Sequence, residues 1–387
     1  MRIDSLKLTN YRNFTAQKIS FDGKLTAIVG KNGAGKSNIL EAVAMLSGIR
    51  PIRVETDLDL VRFGAESAKV EGEISSEGDT KSLIVNLQVI DRRVGKSFYI
   101  GAFKKRLVDF VEVFSIVVFE PSDLDLVSGS PSLRRRHLDR FLSSIDGKYW
   151  RSVSAYGKIV TRRNKILGRI GEGRAKPLEL GFWDSRLLEH GKYVSKVREE
   201  FFEFLNFVEA VNDSGPVSSF LPTPSIVSGQ AVQRVYPERS RRAVGNPSRT
   251  ATRENISGFF WNLKQSVLTE EKLKNNRERD IAAGITLSGP HRDDFRFVHK
   301  KRDLEFFGSR GQQRMAVLAL KLAELEYHRV KRGQRPVLAL DDIFSELDWE
   351  HRNTVLSVIS NQQTIITAAE KESIPREIFK KAKIVEL

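Results

Sequence analysis

The sequence predicts an α/β fold with a parallel-sheet core, an antiparallel layer and an inserted helical lobe. Three observations carry this. Leu25-Thr26-Ala27-Ile28-Val29 is a short apolar run that ends at Gly30, and an amphipathic pattern (Ile39, Leu40, Ala42, Val43, Leu46) follows a glycine-rich turn; buried strand, tight turn and helix is how one such unit reads. Val337 to Leu340 and Thr364-Ile365-Ile366-Thr367 are two further apolar runs with helical patterns before and between them, and a β-α-β-α order calls for a parallel sheet. Between these halves, from about residue 122 to 210, the pattern turns helical and charged.

The elements follow in order. Ile3, Leu6 and Leu8 lead into a turn at Tyr11-Arg12-Asn13-Phe14. Residues 68–74 and 83–90 alternate or run apolar with Gly and Ser between them, as strands of an antiparallel layer do. Val113 to Phe119 is an apolar run stopped at Pro121. Leu133, Leu138 and Phe141-Leu142 share one helical stripe; Ile159, Ile166 and Leu167 mark a second helix, and Trp183, Leu187 and Leu188 a third. These helices are expected to be of ordinary length, and no sustained heptad suggests a long coiled coil. Residues 212–256 carry five prolines and a run of arginines (Arg234, Arg239, Arg241, Arg242, Arg249, Arg253) opposed by Glu238 and Glu254; that composition predicts a mobile basic insert.

Composition narrows the chemistry. At 387 residues and 40% hydrophobic, the chain can build two or three domains or one large interrupted one. It has no cysteine, which excludes disulfides, thiolate zinc sites and a cysteine nucleophile and fits a reducing compartment. No apolar stretch approaches the ~20 residues of a membrane span, and Met1-Arg2-Ile3-Asp4 is unlike a signal peptide. The expectation is a soluble, cytoplasmic protein. Lys plus Arg number 64 against 49 Asp plus Glu, a net +15, so a polyanionic partner is expected, nucleic acid or an anionic membrane surface first.

Gly30-Lys31-Asn32-Gly33-Ala34-Gly35-Lys36-Ser37 matches the phosphate-binding-loop pattern, in the required context of strand before and helix after. The glycines let successive N–H groups face a phosphate, and the helix amino end adds favourable partial charge. Lys36 is placed to reach the β- and γ-phosphates and Ser37 to hold Mg²⁺ through its hydroxyl. Asp341 and Asp342 end the apolar run Val337 to Leu340, where ligands bind in a parallel α/β sheet. Solvated acids capping a strand would look the same, but a phosphate-binding loop in the same chain favours Mg²⁺ on Asp341 and a general-base role for Asp342. Ser309-Arg310-Gly311-Gln312-Gln313-Arg314 opens a helix whose Met315, Leu318, Leu322 and Leu325 share a face. Ser309 is a good N-cap and such a helix start is an anion site. One nucleotide can rarely meet both helix ends of one molecule, so this second end needs a partner.

Together with Ser345-Glu346-Leu347-Asp348, these motifs stand in the order found in ABC-type ATPases. The chain further resembles the RecF family of bacterial recombination-repair ATPases. Leu8 to Phe14, Phe119 to Leu124, Gly129-Ser130-Pro131 through Arg134-Arg135-Arg136-His137-Leu138-Asp139, Gly289 to Asp294, and Ser309 to Gln313 with Asp341 to Asp348 carry the resemblance over nearly the whole chain.

The resemblance implies an ABC-type ATPase head formed by residues 1–122 and 276–387, and a helical lobe over 123–275 in place of the long coiled coil of SMC proteins. It implies ATP and Mg²⁺ as ligands and weak, DNA-stimulated ATP hydrolysis. Ser309, Gly311 and Gln312 would complete the nucleotide site of a second subunit, and Asp348 would be the D-loop aspartate of an ATP-dependent homodimer. It further implies binding to double-stranded and gapped DNA and work with RecR, and indirectly RecO, to help RecA load in replication, recombination and the SOS response. Three positions depart from the wider ABC pattern. Arg310 stands in the signature where transporters have Gly, Asp342 where many relatives have Glu, and Ala368 where transporters have a switch histidine, with Thr367 its only neighbouring candidate. Residues 222–256 do not resemble the family. A transporter subunit, an SMC-like tether, a nuclease and a small-molecule kinase fit less well. The first two would need a more compact head or a long coiled coil. The third would need a second carboxylate cluster, for which Asp293-Asp294 offers only a fold brace, and the last would have no use for Ser309 to Gln313.

Overall fold

The computed structural model describes residues 1–48, 56–76, 78–212, 259–346 and 359–387. The basic insert expected over 212–256 and the D-loop aspartate Asp348 lie outside the described residues, as does Leu347.

Three sheets organise the chain. The first is antiparallel, in the order β2-β1-β4-β5-β6-β7, formed by β1 (Arg2–Tyr11), β2 (Phe14–Ser20), β4 (Ser67–Ser76), β5 (Asp79–Ile90), β6 (Arg93–Ile100) and β7 (Phe103–Lys105). The second is parallel throughout, in the order β14-β3-β13-β12-β8, from β3 (Leu25–Val29), β8 (Ile116–Phe119), β12 (Val337–Asp341), β13 (Thr364–Ala368) and β14 (Lys383–Glu386). β3, β8, β12 and β13 are buried at every position. Sequences of continuous Val, Ile, Leu and Ala produce this, because helices or a sheet cover both faces. The apolar run before Pro121 enters the sheet only at Ile116. The third sheet, β11-β10-β9, joins β9 (Phe259–Lys264), β10 (Asp294–His299) and β11 (Arg302–Asp303). Its β9–β10 ladder links residues on either side of position 276.

Five helices exceed ten residues among the described residues: α1 (Lys36–Leu46), α2 (Pro131–Ile145), α3 (Gly147–Gly171), α4 (Leu180–Asn212) and α5 (Arg310–Arg332). α1 is sandwiched between the antiparallel and parallel sheets, and Ile39 to Leu46 is buried almost all round. β4 must come close to receive it: a Cβ on Gly72 would stand 2.3 Å from Leu46 Cδ1. The opposite face of the parallel sheet packs on α2, α4 and α5.

The helical lobe rests on α3 and α4, which pair along their lengths. At 25 and 33 residues they are longer than the sequence pattern suggested. The excess comes from mutual burial of Tyr156, Ile159, Leu187 and Leu188, which extends a helix well past the length that propensity alone sustains. Rings from two helices and β10 fix this lobe to the head: Tyr327 lies 4.9 Å from Phe201 and 5.1 Å from Phe204, and Phe202 lies 5.0 Å from Phe295.

Two runs of adjacent arginines, Arg134-Arg135-Arg136 and Arg162-Arg163, divide between the interior and the surface. Arg134 and Arg163 are interior residues. Arg134 makes a two-pronged pair with Asp294 at 2.7 and 3.0 Å; Arg163 bonds Asp184 at 2.8 Å and Asp280 at 2.7 Å. Their neighbours Arg136 and Arg162 are exposed, so each cluster splits between the core and solvent. Asp293 braces the fold as expected, accepting from Arg198 at 2.7 Å and from the Ser266 N–H at 2.7 Å. Burial raises the Asp293 carboxyl above its ordinary range although Arg198 opposes the shift.

Candidate nucleotide site

The loop after β3 is tied to the sheet, since the Gly30 N–H donates to the Ala368 carbonyl on β13 at 3.3 Å. Gly33 and Gly35 take φ of 86° and 103°, which only glycine adopts freely. Gly35 has a second reason: a Cβ there would lie 2.6 Å from Phe14 Cζ and 2.7 Å from Asn13 Nδ2. The β1–β2 turn therefore presses directly on the loop. Asn13 Nδ2 donates to the Ala34 carbonyl at 3.2 Å and Asn13 Oδ1 accepts from Asn38 Nδ2 at 2.8 Å. Arg12, held at φ 53°, forks onto buried Glu41 of α1 at distances down to 2.8 Å. The motif shows none of this clamp. Its sequence signal is the polar turn Arg12-Asn13 between two apolar strands.

Lys36 opens α1, and its ammonium donates to the carbonyls of Gly30 at 2.5 Å and Lys31 at 3.1 Å. It thus bridges the mouth of the loop formed by Gly30, Lys31, Asn32, Gly33, Ala34 and Gly35. The next residue connects the two halves of the chain. Ser37 Oγ donates to Asp341 Oδ1 at 3.0 Å across 304 residues of sequence. Asp341 is the last residue of β12 and is buried. Its Oδ1 also accepts from Thr367 Oγ1 at 2.7 Å, and the same hydroxyl accepts from the Asp342 N–H at 3.0 Å. Asp342 is turned out of the strand direction at φ 51°. Thr367 is therefore engaged in placing both acids. A hydroxyl and a carboxylate oxygen this close fit Mg²⁺, which takes one or two protein oxygens and completes its shell with phosphate and water.

Glu120 follows β8, the strand next to β12, at the same carboxyl edge of the sheet. It is buried and accepts from Ser122 Oγ at 3.2 Å. The rule that picks out Asp341, an acid ending a buried apolar strand, applies equally to Glu120.

The third anion-binding element stands on α5. Ser309 Oγ accepts from the Gln312 N–H at 3.2 Å, and Gln312 Oε1 accepts from the Ser309 N–H at 2.9 Å. This is a reciprocal capping box, and the helix proper begins at Arg310, one residue before Gly311. α5 packs chiefly on β8, α2 and α4. Ser309, Gly311 and Gln312 are exposed, and so are Phe306 and Phe307 just before them. Lys36, Ser37, Asp341, Asp342 and Thr367 converge; Ser309 and Gln312 form a separate surface element. A buried ionic cluster runs between the segment after Glu120 and the middle of α5. Lys321 Nζ pairs with Asp123 at 3.2 Å and with Glu324 at 3.6 Å, and Glu324 meets His137 Nε2 at 2.5 Å. Burial pushes the Glu324 carboxyl up, but Lys321 and His137 outweigh it and hold it below the usual range.

Residues 2–383 match the model of the RecF/RecN/SMC N-terminal domain. The chain is 34% identical over 388 residues to the DNA replication and repair protein RecF of Moorella thermoacetica, covering 100% of this chain and 95% of that one. It is 32% identical to the protein of the same description from Bacillus cytotoxicus, covering 100% and 96%. Among solved structures, the recombination mediator protein RecF-ATPrS in the RecFOR pathway superposes with a TM-score of 0.77 at 27% identity, over 97% of this chain and 94% of that one. RecF-ATP in the same pathway gives 0.76 at 28% identity, over 96% and 93%. No helix among the described residues is long and apolar enough to cross a membrane.

Proposed function

The chain belongs to the RecF family of ABC/SMC-type ATPases, and on that premise we propose that it is an ATP-switched DNA-binding protein of replication and recombinational repair, acting in the cytoplasm. The observation that carries the reading is the contact of Ser37 with Asp341 at 3.0 Å, which joins a phosphate-binding loop to the carboxyl edge of the same parallel sheet.

ATP would lie on the N–H groups of Gly33 to Ser37 at the amino end of α1, with its terminal phosphates drawing the Lys36 ammonium from the carbonyls it bridges. Ser37 and Asp341 would hold Mg²⁺, which when bound would supply charge neutralisation for the triphosphate. Asp342, aimed by the Thr367 hydroxyl, orients the attacking water and accepts its proton. Its short side chain reaches less far than a glutamate would, which suits slow, DNA-stimulated hydrolysis. The capping box at Ser309, with Gly311 and Gln312, meets the γ-phosphate bound by a second subunit, and Asp348 communicates across that interface. Exposed Phe306 and Phe307 beside Ser309 suit a surface that another subunit covers. ATP thus bridges two heads, and hydrolysis removes the bridging phosphate and opens them. Residues 1–122 and 276–387 form the ATP-binding lobe and 123–275 the helical lobe. The relatives' pathway supports double-stranded and gapped DNA, RecR, and through it RecO and RecA, as partners of the closed dimer.

Sedimentation with ATP and with ADP tests this, with and without gapped duplex. Wild type should pass from monomer to dimer with ATP alone, more completely on DNA, whereas Ser309→Arg should bind ATP and stay monomeric. A mass indifferent to nucleotide would overturn the bridged-head reading.

A further inference from the structure

α3 carries a straight row of cations that neither the nucleotide site nor the fold uses. Arg151, Lys158, Arg162, Lys165 and Arg169 are all exposed. Their spacings of seven, four, three and four residues place them within roughly 60° of one another around the helix, at 100° per residue. The row runs roughly 27 Å at 1.5 Å per residue. α3 contains no aspartate or glutamate. Among the described residues none of the five has an ion-pair partner; Arg169 donates only to the Arg174 carbonyl, at 3.3 Å. The contrast with Arg163 is direct, since that residue faces inward on the same helix and is held by two aspartates.

Lys158 with Arg162, Arg162 with Lys165, and Lys165 with Arg169 are like-charge neighbours one turn apart, an arrangement that weakens a helix. α3 keeps its row because α4 and the short helix Arg277–Ala283 pack on its other side. The ligand chemistry follows from what the row lacks. No large apolar side chain of α3 is exposed, whereas a protein partner would require an apolar centre and single-stranded nucleic acid would require aromatic platforms. Evenly spread cations alone match a rigid polyanion. At its amino end α3 abuts the helix Leu107–Phe110, a Cβ on Gly147 lying 3.1 Å from Val108 Cγ2. That helix directly follows the exposed Lys104-Lys105-Arg106, of which Arg106 pairs with Asp109 at 3.0 Å, so a second basic group stands near the amino end of α3.

We propose that the solvent face of α3 is the seat of a DNA duplex, held through its phosphates by Arg151, Lys158, Arg162, Lys165 and Arg169 without reading sequence. This rests on the DNA-binding reading above and adds where the duplex lies. The test is fluorescence anisotropy of a labelled duplex with ATP across a salt series, comparing wild type with Lys158→Glu/Arg162→Glu/Lys165→Glu. Each lost phosphate contact flattens the plot of log K against log salt by about 0.9. The triple variant should bind at least about 10-fold more weakly at moderate salt with a slope shallower by about 2 to 3, and unequally chosen duplex sequences should behave alike. Binding of a fluorescent ATP analogue and the thermal midpoint should match wild type, which separates loss of contact from misfolding. Because α3 could fail to tolerate three glutamates, Lys158→Gln/Arg162→Gln/Lys165→Gln serves as the milder second variant. Unchanged affinity and slope in variants against a wild type that binds would overturn the placement and would be the result expected if the row served an acidic protein instead. A wild type that binds no duplex at any salt would remove the DNA reading and this placement together.

Discussion

Thr367 shows how much one hydroxyl can organise. It donates to Asp341 and accepts from the backbone of Asp342, so it sets the carboxylate proposed to hold Mg²⁺ and the turn that places the second acid. Outer partners of this type typically govern activity by about 10- to 100-fold. Thr367→Val should therefore lower ATP turnover by that order and raise the Mg²⁺ concentration needed for half-maximal rate, while nucleotide affinity without metal stays near wild type. Thr367→Ser should restore most of the rate, and a valine variant with wild-type Mg²⁺ dependence would remove the role. His328 provides a different handle. It is buried near the end of α5, its Nδ1 sits 3.3 Å from the Gln334 carbonyl, and Nε2 has no partner among the described residues. Burial drives its pKa from 6.5 down to about 4. A depressed histidine stays neutral in the fold while the unfolded chain takes up a proton below 6.5, so stability falls as pH drops from 6.5 toward 4. The full effect is roughly 3 kcal/mol. His328→Leu should flatten the thermal midpoint between pH 6.5 and 4 relative to wild type; parallel curves would count against this origin.

Among the elements, the helical pair α3–α4 owes its order to ions as well as to packing. Arg163 is fully enclosed and bonds Asp184, Asp280 and Thr286 at 2.7 to 2.9 Å. Its removal leaves buried Asp280 without its counter-charge and Asp184 with Arg277 alone, so Arg163→Met should cost about 3–5 kcal/mol. The loss should appear in chemical denaturation while ATP-analogue binding survives, because β3 and α1 pack in clusters separate from the one that joins Tyr156 and Ile159 to Leu187 and Leu188. Helical spacing sets Arg163, not Arg162, on the stripe of Tyr156, Ile159 and Leu167, but its partners Asp184 and Asp280 lie 21 and 117 residues away, and no local signal announces them. The strand, loop and helix of the nucleotide site were legible because apolar runs, glycines and helical spacing are local signals. The clamp of Arg12 and Asn13 on the loop was not, since it depends on contacts to Ala34 and Glu41 made only after the β1–β2 turn has been laid over α1.

At the scale of the whole molecule, a parallel core assembled from both halves of the chain was readable from the β-α-β-α order, and its strand sequence was not. β3 lies between β13 and β14, and β12 separates β13 from β8. The sheet is therefore interleaved: its first strand receives both neighbours from segments beginning at Thr364 and Lys383. The Ile3 N–H, too, is answered by Gln363 Oε1, 360 residues on, at 2.7 Å. This arrangement bears on biosynthesis. A chain emerging from the ribosome presents Leu25–Val29 early, with five buried positions and no strand to cover either edge, and must carry that exposed hydrophobic segment through the synthesis of more than three hundred residues. At about 5–20 residues per second the wait is tens of seconds. Pairings this distant are slow to find and leave apolar surface open meanwhile, whereas α3 and α4 of the helical lobe are close in sequence and can pair while the ATPase lobe is still incomplete.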